Sequence, residues 1–251
     1  LNLIHLIKPI KSCLSMKVSI IGQGYVGLTI SAFAGAHHTV VGFDKSRVVV
    51  DRLNKGISHI EGVDSPAIAG LLAKGTYKAT TNAADIAGSD IVVIAVPTPL
   101  DSKRLPDLSY IDSACKVIAE NLDKPALIIN ESTSFPGTIR NFIKPTIEKH
   151  SKVVLAHEYA ISPERVDPGR VEWNQKNTPR LFSGLTPEAT RRTREFYSTF
   201  CDELVEVSSP EVAEAAKLFE NTIFDMISNI AIHFTINHYR FYSFNKIFVT
   251  V

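Results

Sequence analysis

Residues 17–27 read KVSIIGQGYVG, an apolar strand that runs into a glycine-rich turn and the start of a helix. Each glycine has a separate role: Gly22 permits a tight turn, Gly24 lets the backbone approach a diphosphate, and Gly27 lets the helix pack closely on the strand. The free amide groups at the positive end of such a helix attract phosphate. The stretch therefore predicts a strand-helix unit that binds a dinucleotide.

An acidic residue, Asp44, ends the next apolar run and lies 17 residues beyond Gly27. A carboxylate at this place binds the hydroxyls of the adenosine ribose and repels a 2′-phosphate, which favours NAD over NADP as the cofactor. The basic residues Lys45 and Arg47 weaken this preference without reversing it. The alternative is an ordinary strand-to-helix turn in which Asp44 only caps a helix. The cofactor residues predicted at this end are Gly22, Gly24, Tyr25, Val26, Gly27, Asp44 and Arg47.

Runs rich in Val and Ile alternate with helical patterns as far as residue 207. The alternation predicts an α/β fold, a doubly wound parallel sheet that resembles a Rossmann NAD-binding domain. The predicted strands are Lys17–Ile21, Thr39–Phe43, Asp90–Ala95, Ala126–Glu131, Val153–His157, Arg180–Ser183 and Leu204–Val207. The predicted helices are Tyr25–Gly35, Arg47–Lys55, Tyr110–Asn121, Thr138–Ile147 and Pro187–Phe200, with Ser46 and Ser109 as the N-caps of two of them.

Polar residues follow three of the predicted strands, at the edge where ligands bind to such sheets. In the loop at 96–99, VPTP, two prolines fix the backbone and hold Thr98 extended, although a rigid connector is the alternative interpretation. Glu131 and Thr133 end one strand, and Glu164 follows another. We expect these side chains to meet on one rim.

A further helix is predicted at residues 213–221, which read AEAAKLFEN. Lys217 and Asn221 lie four residues apart and so share one face of this helix. The alanines beside Lys217 leave room for a ligand or a neighbouring element. A solvated surface lysine is the ordinary alternative.

The charge balance excludes several classes of partner. The 27 Lys and Arg residues are matched by 26 Asp and Glu, so there is no general field to attract nucleic acid or an anionic membrane. No apolar run is long enough to span a bilayer. The three cysteines form no disulfide or metal-ligand pattern, which predicts no metal site and a reducing, cytoplasmic setting. A small molecule is the expected partner.

Taken in order, the motifs KVSIIGQGYVGL, VPTPL, ESTSFPGT, SPERVDPG and AEAAKLFENT resemble those of the UDP-glucose/GDP-mannose dehydrogenase family. Their combination is most similar to the branch that acts on UDP-N-acetylated hexosamines. The resemblance implies oxidation of the C6 alcohol of a nucleotide sugar to a carboxylate with two NAD, as in the synthesis of polysaccharide precursors. It also implies that Thr98 and Glu131 flank the part of NAD that lies beyond the adenosine end.

The resemblance further implies four catalytic roles. Thr133 would position a water near the reacting C6 oxygen. Lys217, with Asn221, would bind that oxygen and stabilise the negative charge that develops on it. Glu164 would activate the water that hydrolyses a late thioester.

The chain departs from the family pattern after the AEAAKLFENT motif. The family's nucleophilic cysteine lies in a glycine-rich segment beyond the lysine, but this chain has no Cys after Cys201 and no Gly after Gly184. We expect a truncated chain that lacks this segment and the UDP-binding domain. The predicted parts are an extension at 1–15, the NAD-binding domain at 16–207, and at 208–251 the start of a connecting helix with a divergent tail. Residues 210–235 of that helix could form a homodimer.

Three functions therefore stay open at this point. The first is a nucleotide-sugar 6-dehydrogenase that is impaired as this chain, because the second oxidation needs a thiol adduct. The second is a non-catalytic NAD-binding fragment. The third is a two-electron dehydrogenase of the hydroxyacid type, for which a helix lysine and asparagine would suffice.

Overall fold

The computed structural model describes residues 15–103, 105–164, 175–220 and 222, in which eight strands form one sheet. The strands are β1 (Lys17–Ile21), β2 (Thr39–Phe43), β3 (Tyr77–Thr80), β4 (Ile91–Ile94), β5 (Leu127–Asn130), β6 (Glu158–Ile161), β7 (Arg180–Gly184) and β8 (Leu204–Glu206). The α-helices are α1 (Tyr25–Ala34), α2 (Arg47–Leu53), α3 (Ser65–Ala73), α4 (Ser109–Asn121), α5 (Lys144–His150), α6 (Pro187–Tyr197) and α7 (residues 210–220). A 3-10 turn covers Ala83–Ile86, and a π-helical turn at Ile139–Ile143 precedes α5.

The strand order is β3-β2-β1-β4-β5-β6-β7-β8, and every neighbouring pair is parallel except β6 and β7. The chain reverses its direction across the sheet between β1 and β4, which confirms the doubly wound arrangement. The predicted doubly wound parallel sheet is confirmed, except that β7 runs antiparallel to β6. Parallel neighbours need a crossover connection, and the sequence pattern offers no helix between β6 and Arg180 to provide one.

The strand predicted at Val153–His157 is also wrong. Val153 is 60% exposed and Val154 is fully exposed, whereas β6 begins five residues later at Glu158. The segment EYAI of β6 pairs with β5 and buries its last three side chains, so register with the sheet decides the boundary rather than local hydropathy.

Helix starts and two whole elements account for the other differences. Ser46 accepts a hydrogen bond from the amide of Val49 (3.4 Å), as predicted for an N-cap. Ser109 does not cap its helix, because it is the first helical residue and donates its own amide to Asp107 (2.9 Å). The sequence pattern did not predict α3 or β3. The helix predicted at Thr138–Ile147 begins with the π-helical turn.

Two hydrophobic layers enclose the sheet. Alternate residues of each central strand face opposite layers, as the two-residue period of a strand requires. In β4, Ile91 and Val93 face the layer of α1, α3 and α6, while Val92 and Ile94 face the layer of α4 and α5. Both faces of β4 are therefore buried, which explains why its sequence is a continuous apolar run.

Several predicted parts lie outside the described residues. These are the extension at 1–15 apart from Ser15, and the tail beyond Thr222. The helix predicted at residues 213–221 is present as α7, which starts at residue 210, but Asn221 itself is not among the described residues.

Candidate functional site

A cavity of about 660 Å³ opens at the carboxyl ends of β1, β2, β4 and β5. The predicted site residues that line it are Gly22, Gly24, Tyr25, Val26, Asp44, Thr98, Glu131, Thr133, Glu164 and Lys217. Gly27 and Arg47 are not among the lining residues, and Asn221 lies outside the described residues. The structure thus brings both ends of the predicted site into one cavity.

The glycine turn contributes Gly22 and Gly24 to the lining of this cavity. Gly22 has a φ of +94°, and a Cβ on it would lie 2.4 Å from the carbonyl oxygen of Ala95. Gly24 is the N-cap of α1, no side chain caps that helix, and an added Cβ would meet no atom within 4 Å. The helix start is therefore open to an anion. A Cβ on Gly27 would lie 1.9 Å from the carbonyl oxygen of Gly22, so Gly27 serves helix packing rather than ligand contact.

Asp44 lies at the end of β2 with its carboxylate fixed by the backbone. Its Oδ2 accepts a hydrogen bond from the amide of Gln23 (2.8 Å), and its Oδ1 accepts one from the amide of Ser46 (2.8 Å). Each carboxylate oxygen has a second acceptor site. The half-buried carboxylate is therefore held in place and can still accept two hydrogen bonds from a ligand in the cavity.

The two basic residues near Asp44 differ in position. Lys45 lines the cavity and donates a hydrogen bond to the hydroxyl of Ser113 on α4. Arg47 has an 85% exposed side chain and lies 3.8 Å from Asp51 in an ion pair one turn along α2. The prediction that Arg47 contacts the cofactor has no support in this geometry, because its charge points to solvent.

Ser132 joins the two loops at the other end of the cavity. Its hydroxyl accepts a hydrogen bond from the amide of Val96 (2.9 Å) and donates one to the carbonyl of the same residue (2.8 Å). This contact fixes the loop that carries Thr98 against the loop that carries Thr133. Both threonines are half-buried and line the cavity, as the sequence predicts.

Glu131 is a fully buried carboxyl group at the cavity wall. Its Oε1 accepts hydrogen bonds from Arg180 Nη1 (2.5 Å) and from the hydroxyl of Tyr197. Its Oε2 has no hydrogen-bond partner among the described residues. Burial raises the pKa of Glu131 to about 7, although Arg180 lowers that pKa and the nearby Glu164 raises it further.

Arg180 links Glu131 to Glu164. Its Nη2 lies 3.3 Å from Glu164 Oε2, its Nη1 donates to the hydroxyl of Ser162 (3.0 Å), and its guanidinium lies over the ring of Tyr197. The arginine side chain is 4% exposed. Sequence reasoning missed this residue. An arginine at the start of the mostly apolar strand RLFSG does indicate a buried cation with a carboxylate partner, since buried charges are nearly always paired.

Lys217 reaches the cavity because a buried carboxylate holds α7 in place. Glu214, one turn earlier on α7, accepts hydrogen bonds from the amides of Gly137 (2.5 Å) and Ile139 (3.0 Å). Its Oε1 also accepts one from the hydroxyl of Ser134 (3.3 Å). These contacts bind α7 to the segment that follows Thr133. Glu214 was missed because a glutamate on a helix resembles any solvated residue until its partners are known.

The described residues contain neither a metal-binding cluster nor a membrane-spanning helix. No group of His, Cys, Asp or Glu there is arranged to hold a metal ion, and no helix in those residues is long and apolar enough to cross a membrane.

Residues 16–201 match the family described as "UDP-glucose/GDP-mannose dehydrogenase family, NAD binding domain". The chain belongs to this family. It is 33% identical over 221 residues to the UDP-N-acetyl-D-mannosamine dehydrogenase of Pyrococcus horikoshii, an alignment that covers 86% of this chain and 52% of that protein. It is 34% identical over 220 residues to the UDP-N-acetyl-D-glucosamine 6-dehydrogenase of Pseudomonas aeruginosa, which covers 86% of this chain and 51% of the other.

The fold agrees with this membership. The structure of the UDP-D-ManNAc dehydrogenase from P. horikoshii superposes with a TM-score of 0.76 at 32% identity, over 84% of this chain and 51% of that one. The chain thus spans about half the length of the curated relatives it matches. The family inferred from the motifs is confirmed, and NAD is the cofactor of this domain.

The described residues fit NAD on three independent observations. The start of α1 is uncapped and open beside Gly24. Two backbone amides fix the carboxylate of Asp44, and each of its oxygens keeps a further acceptor site for a ligand. The buried Glu131 Oε2 has no hydrogen-bond partner among the described residues, and such an atom is costly unless a ligand, a water or another group satisfies it.

Proposed function

We propose that this chain is the cofactor-binding part of a nucleotide-sugar 6-dehydrogenase whose substrate is a UDP-N-acetylhexosamine, in the synthesis of polysaccharide precursors. The observation that carries the proposal is the single cavity that extends from Asp44 past the glycine turn to Glu164 and Lys217. Such a cavity holds a dinucleotide with polar groups placed beyond its far end. The names of the aligned relatives support the choice of sugar.

The proposed cofactor contacts divide into two groups. Asp44 accepts hydrogen bonds from the adenosine ribose, and the amides beside Gly22, Gly24, Tyr25 and Val26 face the diphosphate. Thr98 and Glu131 flank the remaining part of the dinucleotide. When bound, NAD supplies the hydride acceptor for oxidation of the C6 alcohol.

The proposed catalytic groups act on the substrate oxygen and on water. Lys217, together with Asn221, donates hydrogen bonds to the C6 oxygen and stabilises the negative charge that develops there. Thr133 positions a water molecule, and Glu164 removes a proton from the water that would hydrolyse a thioester. Glu164 receives hydrogen bonds from Gln175 and Arg180, which hold its carboxylate at the cavity wall.

A second candidate, an NAD-binding unit without full turnover, is favoured by the position of the thiols. Cys115 and Cys201 are buried and neither is among the residues that line the cavity. Burial raises the pKa of Cys115 to about 12 and that of Cys201 to about 11, so both are protonated and unreactive at neutral pH. The described residues therefore offer no nucleophile for the second oxidation.

One assay separates these candidates. The chain is incubated with NAD and UDP-N-acetylglucosamine or UDP-N-acetylmannosamine, and the NADH formed per sugar is counted by absorbance. Two NADH per sugar supports the complete dehydrogenase. NAD binding without NADH supports the non-catalytic unit, and one NADH per molecule supports a two-electron dehydrogenase. A chain that binds no NAD refutes all three.

We also propose a homodimer in which residues 210–235 contribute to the interface, in a cytoplasmic setting. Val212 and Phe219 on α7 expose apolar side chains, which supports contact with a second copy. Free, buried Cys115 and Cys201 suit a reducing compartment. Sedimentation of the wild-type chain and of Phe219→Ser tests the dimer: a concentration-dependent dimer that the substitution weakens supports it, and a monomer at all concentrations refutes it.

A further inference from the structure

Glu131 Oε2 is a buried oxygen for which the described residues supply no hydrogen-bond donor. Its partner oxygen Oε1 has two donors, Arg180 and Tyr197, while Oε2 has none among the described residues. The side chain is completely buried and belongs to the wall of the cavity. The carboxylate has no exposed surface of its own, so it acts on the cavity through its charge, and a buried carboxylate oxygen without a donor favours a positive charge nearby.

The sheet places this oxygen at the nicotinamide end of a bound dinucleotide. Asp44 follows β2 and Glu131 follows β5, and the order β2-β1-β4-β5 separates them by three strand spacings, about 14 Å. A dinucleotide lies across the point where the strand order reverses, here between β1 and β4. With the adenosine ribose on Asp44, the nicotinamide half lies over β4 and β5.

Among the described residues, few charges lie on the elements that pack against Glu131. Arg180 of β7 is cationic, and Glu164 after β6 is the other carboxyl group. Tyr197 of α6 has a pKa well above its ordinary value because of burial, and burial raises the pKa of Cys201 as well, so neither carries charge at neutral pH. Lys217 lines the same cavity from α7. With both carboxyl groups ionised, the set Glu131, Arg180 and Glu164 has one net negative charge.

We propose that Glu131 makes the cavity select the oxidised cofactor, because its carboxylate attracts the cationic nicotinamide ring of NAD⁺ and gives no such attraction to the neutral ring of NADH. The inference rests on the proposed function. The two ligands are otherwise alike in their ADP-ribose part, so the ratio of their dissociation constants isolates the effect of the ring charge. A site with this property releases the reduced product and keeps the oxidised reactant.

Protonation of Glu131 should weaken the preference for NAD⁺, so the proposal predicts how the preference changes with pH. Above pH 7 the carboxylate is ionised and favours NAD⁺, whereas below pH 7 it is increasingly neutral and the preference fades. A unit charge six to seven ångströms away, at an effective dielectric constant near 20, changes a dissociation constant by more than tenfold. We expect the ratio of the NADH and NAD⁺ dissociation constants to fall about tenfold between pH 8.5 and pH 6.0.

The experiment is calorimetric titration of the full chain with NAD⁺, NADH and ADP-ribose at intervals from pH 6.0 to pH 8.5. ADP-ribose has no nicotinamide and serves as the ligand control, with little pH dependence expected. The wild-type ratio needs no variant, so a substitution that fails to fold cannot obscure the result. If NAD⁺ and NADH both bind with a ratio that stays constant with pH, the inference is refuted and the NAD-binding function stands. If neither binds, both are refuted.

Two nearly isosteric variants sharpen the test. Glu131→Gln removes the charge, and we expect its ratio to stay at the low-pH value of the wild type throughout. Glu164→Gln removes the neighbouring carboxylate that raises the pKa of Glu131, so the midpoint of the ratio should move to lower pH. A midpoint that moves to higher pH in Glu164→Gln, or a ratio in Glu131→Gln that still titrates as in the wild type, contradicts the proposal.

Discussion

Replacement of Asp44 by Asn tests the contact that distinguishes NAD from other ligands. The carboxylate has two remaining acceptor sites, since each oxygen already accepts one backbone amide, from Gln23 and from Ser46. Asn has almost the same shape but no charge, and its NH₂ group cannot accept a hydrogen bond from a hydroxyl. The variant therefore loses one ribose contact fully and weakens the other.

The expected loss of NAD affinity is about 1 to 2 kcal/mol, or roughly 5- to 30-fold in the dissociation constant. Charge-assisted hydrogen bonds contribute about 1.5 to 3 kcal/mol when buried, but Asp44 is half-exposed, so solvent reduces the value. The affinity for NADP should fall less than that for NAD, because the repulsion between the carboxylate and a 2′-phosphate disappears along with the hydrogen bonds.

Isothermal titration calorimetry measures both affinities. Asp51→Asn is the matched control, since it removes the same charge from an exposed residue of α2 whose ion pair among the described residues is with Arg47. Its NAD affinity should equal that of the wild type. Thermal melting of each variant shows whether the backbone contacts of Asp44 also support the fold. If Asp44→Asn and Asp51→Asn bind NAD equally well, the adenosine ribose does not lie on Asp44 and the orientation of the cofactor is wrong.

Three further predictions concern Lys217, α7 and the acid response of the fold. Lys217→Ala should leave NAD affinity nearly unchanged by calorimetry because the lysine faces the substrate end, and a large loss would mean that it is misplaced. Glu214→Gln should speed amide exchange in residues 210–220, since its carboxylate accepts three hydrogen bonds that join α7 to another segment. Glu211→Gln, which weakens the ion pair with Arg140 and local contacts in the first turn of α7, should have a smaller effect, and equal rates would contradict the anchoring role. Burial lowers the pKa of His38 to about 4, so as the pH falls below 6.5 the unfolded chain binds a proton at this residue before the folded chain does. The wild type should therefore lose stability relative to His38→Gln between pH 6.5 and pH 4, as measured by urea denaturation. A difference in stability that stays constant over this range would contradict the prediction.

Local features of the sequence predicted the geometry of the glycine turn and the position of Asp44 well. The turn at residues 22–27 is recognisable from the spacing of its glycines alone. In the structure, a Cβ added to Gly22 or Gly27 would collide with backbone atoms, so glycine is required at both positions. Asp44 follows from the length of a single strand-helix-strand unit. The bounds of β1 and β2 were also predicted correctly, because both are mostly apolar runs between clear turns.

The carboxylate cluster at the other end could not be derived in this way. Arg180 reaches Glu131 across 49 positions in the chain and Glu164 across 16, and although its place in a buried strand indicates that it has a partner, no local pattern says which residues those partners are. The error at Val153–His157 has a related cause. The apolar run alone does not form a strand, because the residues that pair with β5 are those of β6, Glu158–Ile161. Tertiary contacts decide both features.

The central claim is that a dinucleotide lies across this cavity with its diphosphate at the start of α1. A crystal structure of the chain with NAD tests it most directly. We predict that the diphosphate contacts the backbone beside Gly24, that the adenosine ribose binds Asp44, and that the nicotinamide lies within reach of Glu131. A dinucleotide bound elsewhere, or bound with the adenosine at Glu131, contradicts the account.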